Sequence, residues 1–389
     1  MATEAPHLIQ SSALPPAQPA YVLRGHTAQI HSVHFLRNNL RLLSGDAEGW
    51  VALWDVPIRR PVAVWKAHQD VNLGVGSWGD DKIITHGRDS KLHVWQLRPE
   101  DEKDFSTVLP VNDSTTERKQ PWLLHSLTLN TLNFCSFAMC PAHPSKTAMG
   151  SGEAQEESIL VATPGVQDGF INITSLPGEV RVATIPTLKD VNTGMLMAVS
   201  ILHQAGGLTA IAGYESGHAA VWQQNATSHW QTVYVNKAHS QPVLSLDICT
   251  QPSCFFTSSA DAVIARHPLP GSKVETKYVQ TKHAGQQALA FRSDQKIFAT
   301  AGWDGRARVY STQSMKQLAV LKWHKEGCYA LAFAEIKEDH QQTNGSDEEG
   351  DAMVKRDLTV SQQRMEKAKT THWLAAGSKD GKISLWDIY

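Results

Sequence analysis

Apolar and polar positions alternate along most of this chain in short runs, as in Val243, Leu246 and Ile248 or Leu331 and Phe333, with small residues between them. A period of two marks strands with one buried face, and the turns between runs are rich in Gly, Asp and Ser. One unit recurs. A strand ending in a small or polar pair, an acidic turn and a second strand closing on an aromatic appear as LLSGDAEGWVALWD, IITHGRDSKLHVWQ, TAGWDGRARVYS and AAGSKDGKISLWD. Aligned on the turn, Glu48, Asp89, Asp304 and Asp380 are each followed six residues later by Trp54, Trp95, Tyr310 and Trp386. The same step finds weaker copies at Asp168 to Thr174, Ser216 to Trp222 and Asp261 to His267, which makes seven. Repetition of one supersecondary unit at this period indicates a single closed array of sheets rather than several unrelated domains.

A histidine opens the repeats at His26, His68, His239 and His283, 21 or 22 residues ahead of the turn, and His324 joins them if the stretch after Glu335 is an insertion. Outer strands follow as VAVWKAH, PWLLHSL, EVRVATI, TVYVNKAH, TKYVQTKH and LAVLKWH, one fewer than the repeats. The last repeat ends on its third strand and would expose an unpaired edge. YVLRGH near the start has the missing character, so Tyr21 to Arg24 are expected to close the ring against Lys382 to Trp386.

These features resemble the WD40 family, whose repeat opens on Gly-His, here Gly25-His26, and closes on Trp-Asp, here Trp54-Asp55 and Trp386-Asp387. The resemblance implies an all-β, seven-bladed WD40 β-propeller over residues 20–389, preceded by a flexible tail at 1–19. It also implies a hydrogen-bonded set of His, hydroxyl, turn Asp and strand Trp in each blade. His68, Thr85, Asp89 and Trp95 would form a complete set, and His283, Thr300, Asp304 and Tyr310 a near match. His26, His239, Asp380 and Trp386 would be structural in the same way. A histidine beside an acid and a hydroxyl could also be a hydrolase triad. Recurrence at one blade position favours the structural role, because buried polar groups need partners. The fourth repeat has Gly194 where the histidine belongs and Ser216 at the turn, so it should be the least well stapled.

Composition narrows the function. Apolar residues make up 41% and charged residues 19%, enough apolar content for a folded core. A formal net charge of −2 offers no footprint for phosphate backbones, so direct nucleic-acid binding is not expected. No stretch is long and apolar enough for a membrane span, and Met1 to Ala20 lacks the pattern of a signal peptide, so the chain is expected to remain in the cytosol or nucleus. Cys135, Cys140, Cys249, Cys254 and Cys328 are expected as buried thiols. Their spacings do not match the usual zinc pattern, no phosphate loop or nucleophile elbow is present, and neither metal nor cofactor is expected. The reading is non-enzymatic.

Three segments exceed the repeat length: 98–120, 141–157 and 337–371, the last with an acidic run and a short helix expected over Asp357 to Lys369. Their composition reads as loops that are at least partly disordered. All three join first to second or third to fourth strands and therefore belong to one face. The other face keeps short turns, and there Arg88, Glu215, Trp303 and Lys379 form a candidate partner-binding rim, charges around an aromatic. The alternative for Trp303 is simple packing within its turn.

The opening PAYVLRGHTAQIHSVHF, the second repeat KAHQDVNLGVGSW with IITHGRDSKLHVWQL, and the ending GSKDGKISLWDIY resemble the fungal ASTRA-associated WD-repeat family, related to G-protein β-subunit-like proteins of animals. The resemblance implies a scaffold or adaptor subunit of a chromatin-associated assembly that acts in chromatin remodelling and in maturation of phosphatidylinositol-3-kinase-related proteins. Its implied partners are the TTT co-chaperone, RuvB-like AAA+ ATPases and a phosphatidylinositol-3-kinase-related protein. A G-protein β subunit would carry an N-terminal coiled coil, and Met1 to Ala20 has no heptads. A substrate receptor of a cullin-type ubiquitin ligase is the alternative, with Trp95-Gln96-Leu97-Arg98 showing the Arg but not the Asp of the usual Trp-Asp-x-Arg.

Overall fold

The computed structural model describes residues 17–112, 117–130, 134–143, 158–336 and 358–388. The strands assemble into seven four-stranded sheets. Blade 1 comprises Ile30–Leu36, Arg41–Asp46, Trp50–Asp55 and Arg60–Lys66, and blade 2 comprises Asn72–Trp78, Lys82–Gly87, Lys91–Gln96 and Trp122–Thr128. Blade 3 is Ala138–Pro141, Ile159–Pro164, Ile171–Leu176 and Val180–Ile185, and blade 4 is Leu196–Gln204, Gly207–Tyr214, His218–Gln224 and Trp230–Lys237. Blade 5 is Val243–Cys249, Cys254–Ser259, Val263–Pro268 and Lys277–Gln280, and blade 6 is Gln286–Phe291, Ile297–Gly302, Arg306–Ser311 and Gln317–Lys322. Blade 7 takes Cys328–Phe333, Trp373–Ser378 and Lys382–Asp387 from the C-terminal end of the chain and Tyr21–Arg24 from the N-terminal end.

Closure follows the expected register. Tyr21–Arg24 runs antiparallel to the last strand, with Tyr21 opposite Leu385 and Arg24 opposite Lys382, and the Ala20 amide donates to the Leu385 carbonyl at 2.8 Å. The apolar faces of neighbouring blades then meet. Leu23, Ile30, Trp54, Ala330 and Leu385 share one buried cluster that joins blades 7 and 1. Each such side chain contributes about 1.5–3 kcal/mol when fully buried. The short turns interlock as well. Gly49 and Gly217 have φ of +84° and +82°, and a Cβ on either would lie 2.1 or 2.2 Å from the carbonyl oxygen of His68 or His239, the histidine opening the next repeat. Only glycine permits both the left-handed turn and that approach.

The inserted segments connect the strands expected of them, but the first is not a loose loop. Segment 98–120 starts as a short 3-10 helix, Pro99–Asp104, that buries Glu102. Glu102 accepts from Arg41 at 2.7–3.1 Å and pairs with Arg37, whose guanidinium also donates to the Leu97 carbonyl; Arg41 reaches Asp55 at 2.8 Å. The segment then crosses the outer strand of blade 1, where the Ser106 carbonyl accepts from the Val64 amide at 2.8 Å, and ends with the Val111 amide donating to Gly25 at 2.9 Å. It thus leaves the inserted face and covers the edge of blade 1, because that edge offers unpaired amides and Glu102 satisfies two buried guanidiniums. Of the other insertions, 144–157 and 337–357 lie outside the described residues, as do 1–16 of the N-terminal tail. The helix begins three residues later than expected, at Val360–Thr370, with Thr359 as its cap: the Gln362 amide donates to Thr359 Oγ1 at 3.3 Å and the Thr359 amide to Gln362 Oε1 at 2.9 Å. Ala368 is its one buried residue.

Candidate protein-interaction face

The histidine sets come first, since they decide between chemistry and architecture. In blade 2, His68 Nδ1 lies 3.0 Å from Asp89, His68 Nε2 lies 2.8 Å from Thr85 Oγ1, and the Trp95 indole donates to Thr85 at 2.9 Å. The proton order follows from the donors. The indole can only donate, so the Thr85 hydroxyl accepts from it and in turn donates to Nε2, which leaves Nδ1–H to donate to the carboxylate. Burial pushes the Asp89 carboxyl up, but the hydrogen bonds from His68 and the Gln69 and Lys91 amides outweigh it and hold the group below the usual range. His68 and Thr85 are 1% and 0% exposed.

Blade 1 forms an equally complete set with a different acid. His26 lies 2.7 Å from Asp46 and 2.8 Å from Ser44, to which Trp54 donates at 2.8 Å. Glu48, the residue at the aligned turn position, accepts from Thr27 at 3.5 Å through its side chain, while its amide donates to Asp46 at 3.0 Å. In blade 5, His239 lies 3.2 Å from Asp261 and 2.8 Å from Thr257, and His267 replaces the tryptophan at 2.9 Å from that hydroxyl. His267 stacks on Phe255, with ring centroids 4.6 Å apart, and burial drives its pKa to about 3, so it serves as a neutral donor. In blade 7, His324 approaches Asp380 at 3.3 Å, but the hydroxyl comes from Ser384 on the third strand, 2.9 Å from His324 and 2.8 Å from the Trp386 indole. Ala376 stands opposite Ser384 in the register, so the neighbouring strand supplies the missing oxygen.

The near match in blade 6 does not form. Asp304 binds the buried Arg308 at 2.5 and 3.1 Å, Thr300 donates to Gln286 at 2.6 Å, and His283 stays partly exposed, 4.0 Å from Asp304. A guanidinium on the third strand makes two charge-assisted bonds and outcompetes a histidine for that carboxylate. In blade 4, Glu215 accepts from the Met195 amide at 3.0 Å, Ser216 meets His218 at 2.8 Å, and Trp222 donates to the Pro186 carbonyl at 3.4 Å, so no such set links its strands.

The exposed chemistry gathers at the central channel. The innermost strands of blades 1, 2, 4, 5, 6 and 7 each carry a register shift after their first residue. A bulge leaves one residue unpaired and re-aims its side chain. Those residues are His31, Leu73, Met197, Leu244, Gln287 and Tyr329, and all six line the channel, a cavity of about 300 Å³. The His31 and Tyr329 rings meet at a tilt of 47° with centroids 5.5 Å apart, and burial lowers the His31 pKa despite the Asp46 carboxylate. Blade 3 contributes Phe134, Ser136 and Phe137.

Two of the four expected rim residues extend this mouth. Arg88 is exposed and its guanidinium lies 4.7 Å over the ring of Phe134, which is 48% exposed. Trp303 is 46% exposed, its ring covers Gly285, and its indole donates to Gln287 at 2.8 Å. Trp303 therefore packs on its own blade and also presents half its surface. Glu215 and Lys379 are exposed on the same face, Glu215 beside Met195 and Lys379 with its amide donating to the Gly327 carbonyl at 2.8 Å. The bulged ring escaped sequence reading because alternation marks strand faces and not register shifts. Trp122, 74% exposed on the outer strand of blade 2, was legible only as part of that strand.

Seven four-stranded blades with recurrent His–hydroxyl–acid sets define a WD-repeat β-propeller whose short-turn face carries the exposed Phe134 and Trp303. The WD40 family, described as WD domain, G-beta repeat, matches residues 17–55, 275–311 and 368–387. Over its full length the chain is similar to ASTRA-associated protein 1 of several fungi. It is 48% identical to the protein of Verticillium alfalfae, covering 95% of this chain and 93% of that one. It is 45% identical to the protein of Aspergillus niger over the whole of both chains, and 32% identical to that of Schizosaccharomyces pombe over 95% and 99%. The chain belongs to the ASTRA-associated protein 1 family.

Proposed function

We propose that this propeller is a non-catalytic adaptor of an ASTRA-type chromatin-associated assembly in the nucleus, and that it holds a protein partner at the mouth of its channel. The relatives' name states their association with ASTRA. The observation that carries the site is the ring of bulged residues joined to Arg88 and Trp303, an apolar and aromatic centre within a charged rim. Interfaces concentrate their binding energy in such centres. The partners expected there are the TTT co-chaperone, RuvB-like ATPases and a phosphatidylinositol-3-kinase-related protein. Against catalysis stands the burial of the hydroxyl in each complete set, since Ser44, Thr85, Thr257 and Ser384 are all 0% exposed. A double variant, Arg88→Glu with Trp303→Ala, should reduce recovery of the co-chaperone in affinity purification by at least fivefold while the melting temperature stays within a few degrees. Wild-type recovery with an intact fold would remove the site from this face.

A further inference from the structure

A second surface lies at the perimeter, where blades 7 and 1 meet, and it stands whether or not the channel mouth holds a partner. A cleft of about 900 Å³ runs between the strand Tyr21–Arg24 and the turn after the third strand of blade 1. Four arginines line it, Arg24, Arg59, Arg60 and Arg364, and no acidic residue does. All four are exposed, and none is ion-paired to another described residue. The guanidinium of Arg59 lies 4.8 Å over the Tyr21 ring, which holds it at the wall of the cleft.

Four like charges around one concavity repel each other and focus a positive potential in it, a cost that an anionic occupant relieves. The planar fork of arginine suits carboxylates, which it binds through paired hydrogen bonds. The floor adds a second requirement. Ile58 is 51% exposed and Tyr21 38%, and Leu109 and Trp323 complete an apolar surface among the charges. The backbone adds a third. Tyr21–Arg24 is the outermost strand of its sheet and among the described residues pairs on one side only, with Lys382–Asp387, which leaves its other edge for an extended chain.

We infer that this cleft binds an extended acidic segment of a partner protein, with carboxylates on the four arginines, an apolar side chain on the floor between Tyr21 and Ile58, and backbone bonds along the free edge of the closing strand. Nucleic acid is the less suitable occupant, because four cations in a chain of net charge −2 do not make the broad basic surface that phosphate backbones require. The position also has a consequence for folding, since an occupant on that strand would brace the seam on which ring closure depends.

The test uses the full chain and fluorescein-labelled twelve-residue peptides in fluorescence anisotropy. The probe alternates glutamate with leucine, and the controls are its lysine counterpart and a single-stranded RNA of equal length. The acidic peptide should bind, weaken with added salt, and weaken at least tenfold in Arg60→Glu/Arg364→Glu, with Arg60→Gln/Arg364→Gln intermediate. Melting temperatures of the two variants should match wild type, and Arg88→Glu on the other face should leave peptide binding unchanged. Absence of binding, an affinity indifferent to both variants, or RNA that binds as tightly and is lost by the same substitutions would overturn the assignment.

Discussion

At the residue scale, two groups of the described histidines have opposite needs. Those that face an aspartate act as pivots between strands, whereas others are buried as neutral rings. Burial holds His34 near pKa 4 and His86 and His267 near 3. An unfolded chain protonates these rings near 6.5, so it takes up protons first as the pH falls. Their stabilising contribution is complete above pH 6.5 and is lost progressively as the pH falls toward 3 to 4. Asp247 opposes them. Burial raises its pKa to about 6 despite amide hydrogen bonds from Phe291 and Ile248, so the native state holds its proton first and gains stability as the pH falls through 6. Between pH 7 and 5, each of these three neutral histidines forfeits about 2 kcal/mol and Asp247 returns about 1, a net loss on the order of 5 kcal/mol. Urea denaturation at the two pH values measures this, and equal or greater stability at pH 5 would contradict the neutral assignment.

At the element scale, the segment 98–120 behaves as part of the propeller. Its low apolar content read as a loop, and composition misled because the anchoring is electrostatic: one glutamate bonded to two guanidiniums. The side chains of Glu102, Arg37 and Arg41 are 9%, 8% and 18% exposed, so removing the acid strips the buried Arg37 of its carboxylate and leaves Arg41 with Asp55 alone. Glu102→Ala should therefore cost about 3 kcal/mol or more, as loss of one partner of a buried pair does. Glu102→Gln, which keeps acceptor geometry on one oxygen, should cost less. Hydrogen exchange should quicken at Val64, whose amide bonds to Ser106. A Glu102→Ala protein within 0.5 kcal/mol of wild type by chemical denaturation would mean that the segment merely rests on the blade.

At the scale of the whole molecule, stability depends on a seam made by the two ends of the described chain. Blade 7 is completed by Tyr21–Arg24, and Leu23 lies in the core cluster that spans the junction. Deletion of residues 1–13 should leave the thermal transition unchanged. Deletion of residues 1–25 removes the strand, its ladder and the first-repeat glycine that meets Val111. Each lost hydrogen bond is worth about 0.5–1.5 kcal/mol against a total stability of about 5–15. Hydrogen exchange in the longer deletion should accelerate in Lys382–Asp387 and in blade 1 while blades 3 to 5 change least. Unchanged protection at Lys382–Asp387 would show that the ring closes without this strand.

The repeat was legible because its signals are local: alternation sets the strands, Asp-Gly and Ser-Gly steps set the turns, and a histidine at constant spacing sets the phase. From these follow the seven blades, the closing strand and the set around His68. Where one group has competing partners, local pattern was silent. Whether Asp304 binds His283 or Arg308 depends on which cation the third strand turns inward, and the substitute hydroxyl of Ser384 is defined only by cross-strand register. The bulges that aim His31, Leu244 and Tyr329 into the channel leave no mark in the hydrophobic period, because a one-residue shift is decided by how each innermost strand packs against its neighbours. The arginine cleft joins residues 24, 59, 60 and 364 and exists only once the ring is closed. Sequence determined the repeating unit and its number; tertiary packing decided which polar groups pair and which remain on the surface to bind.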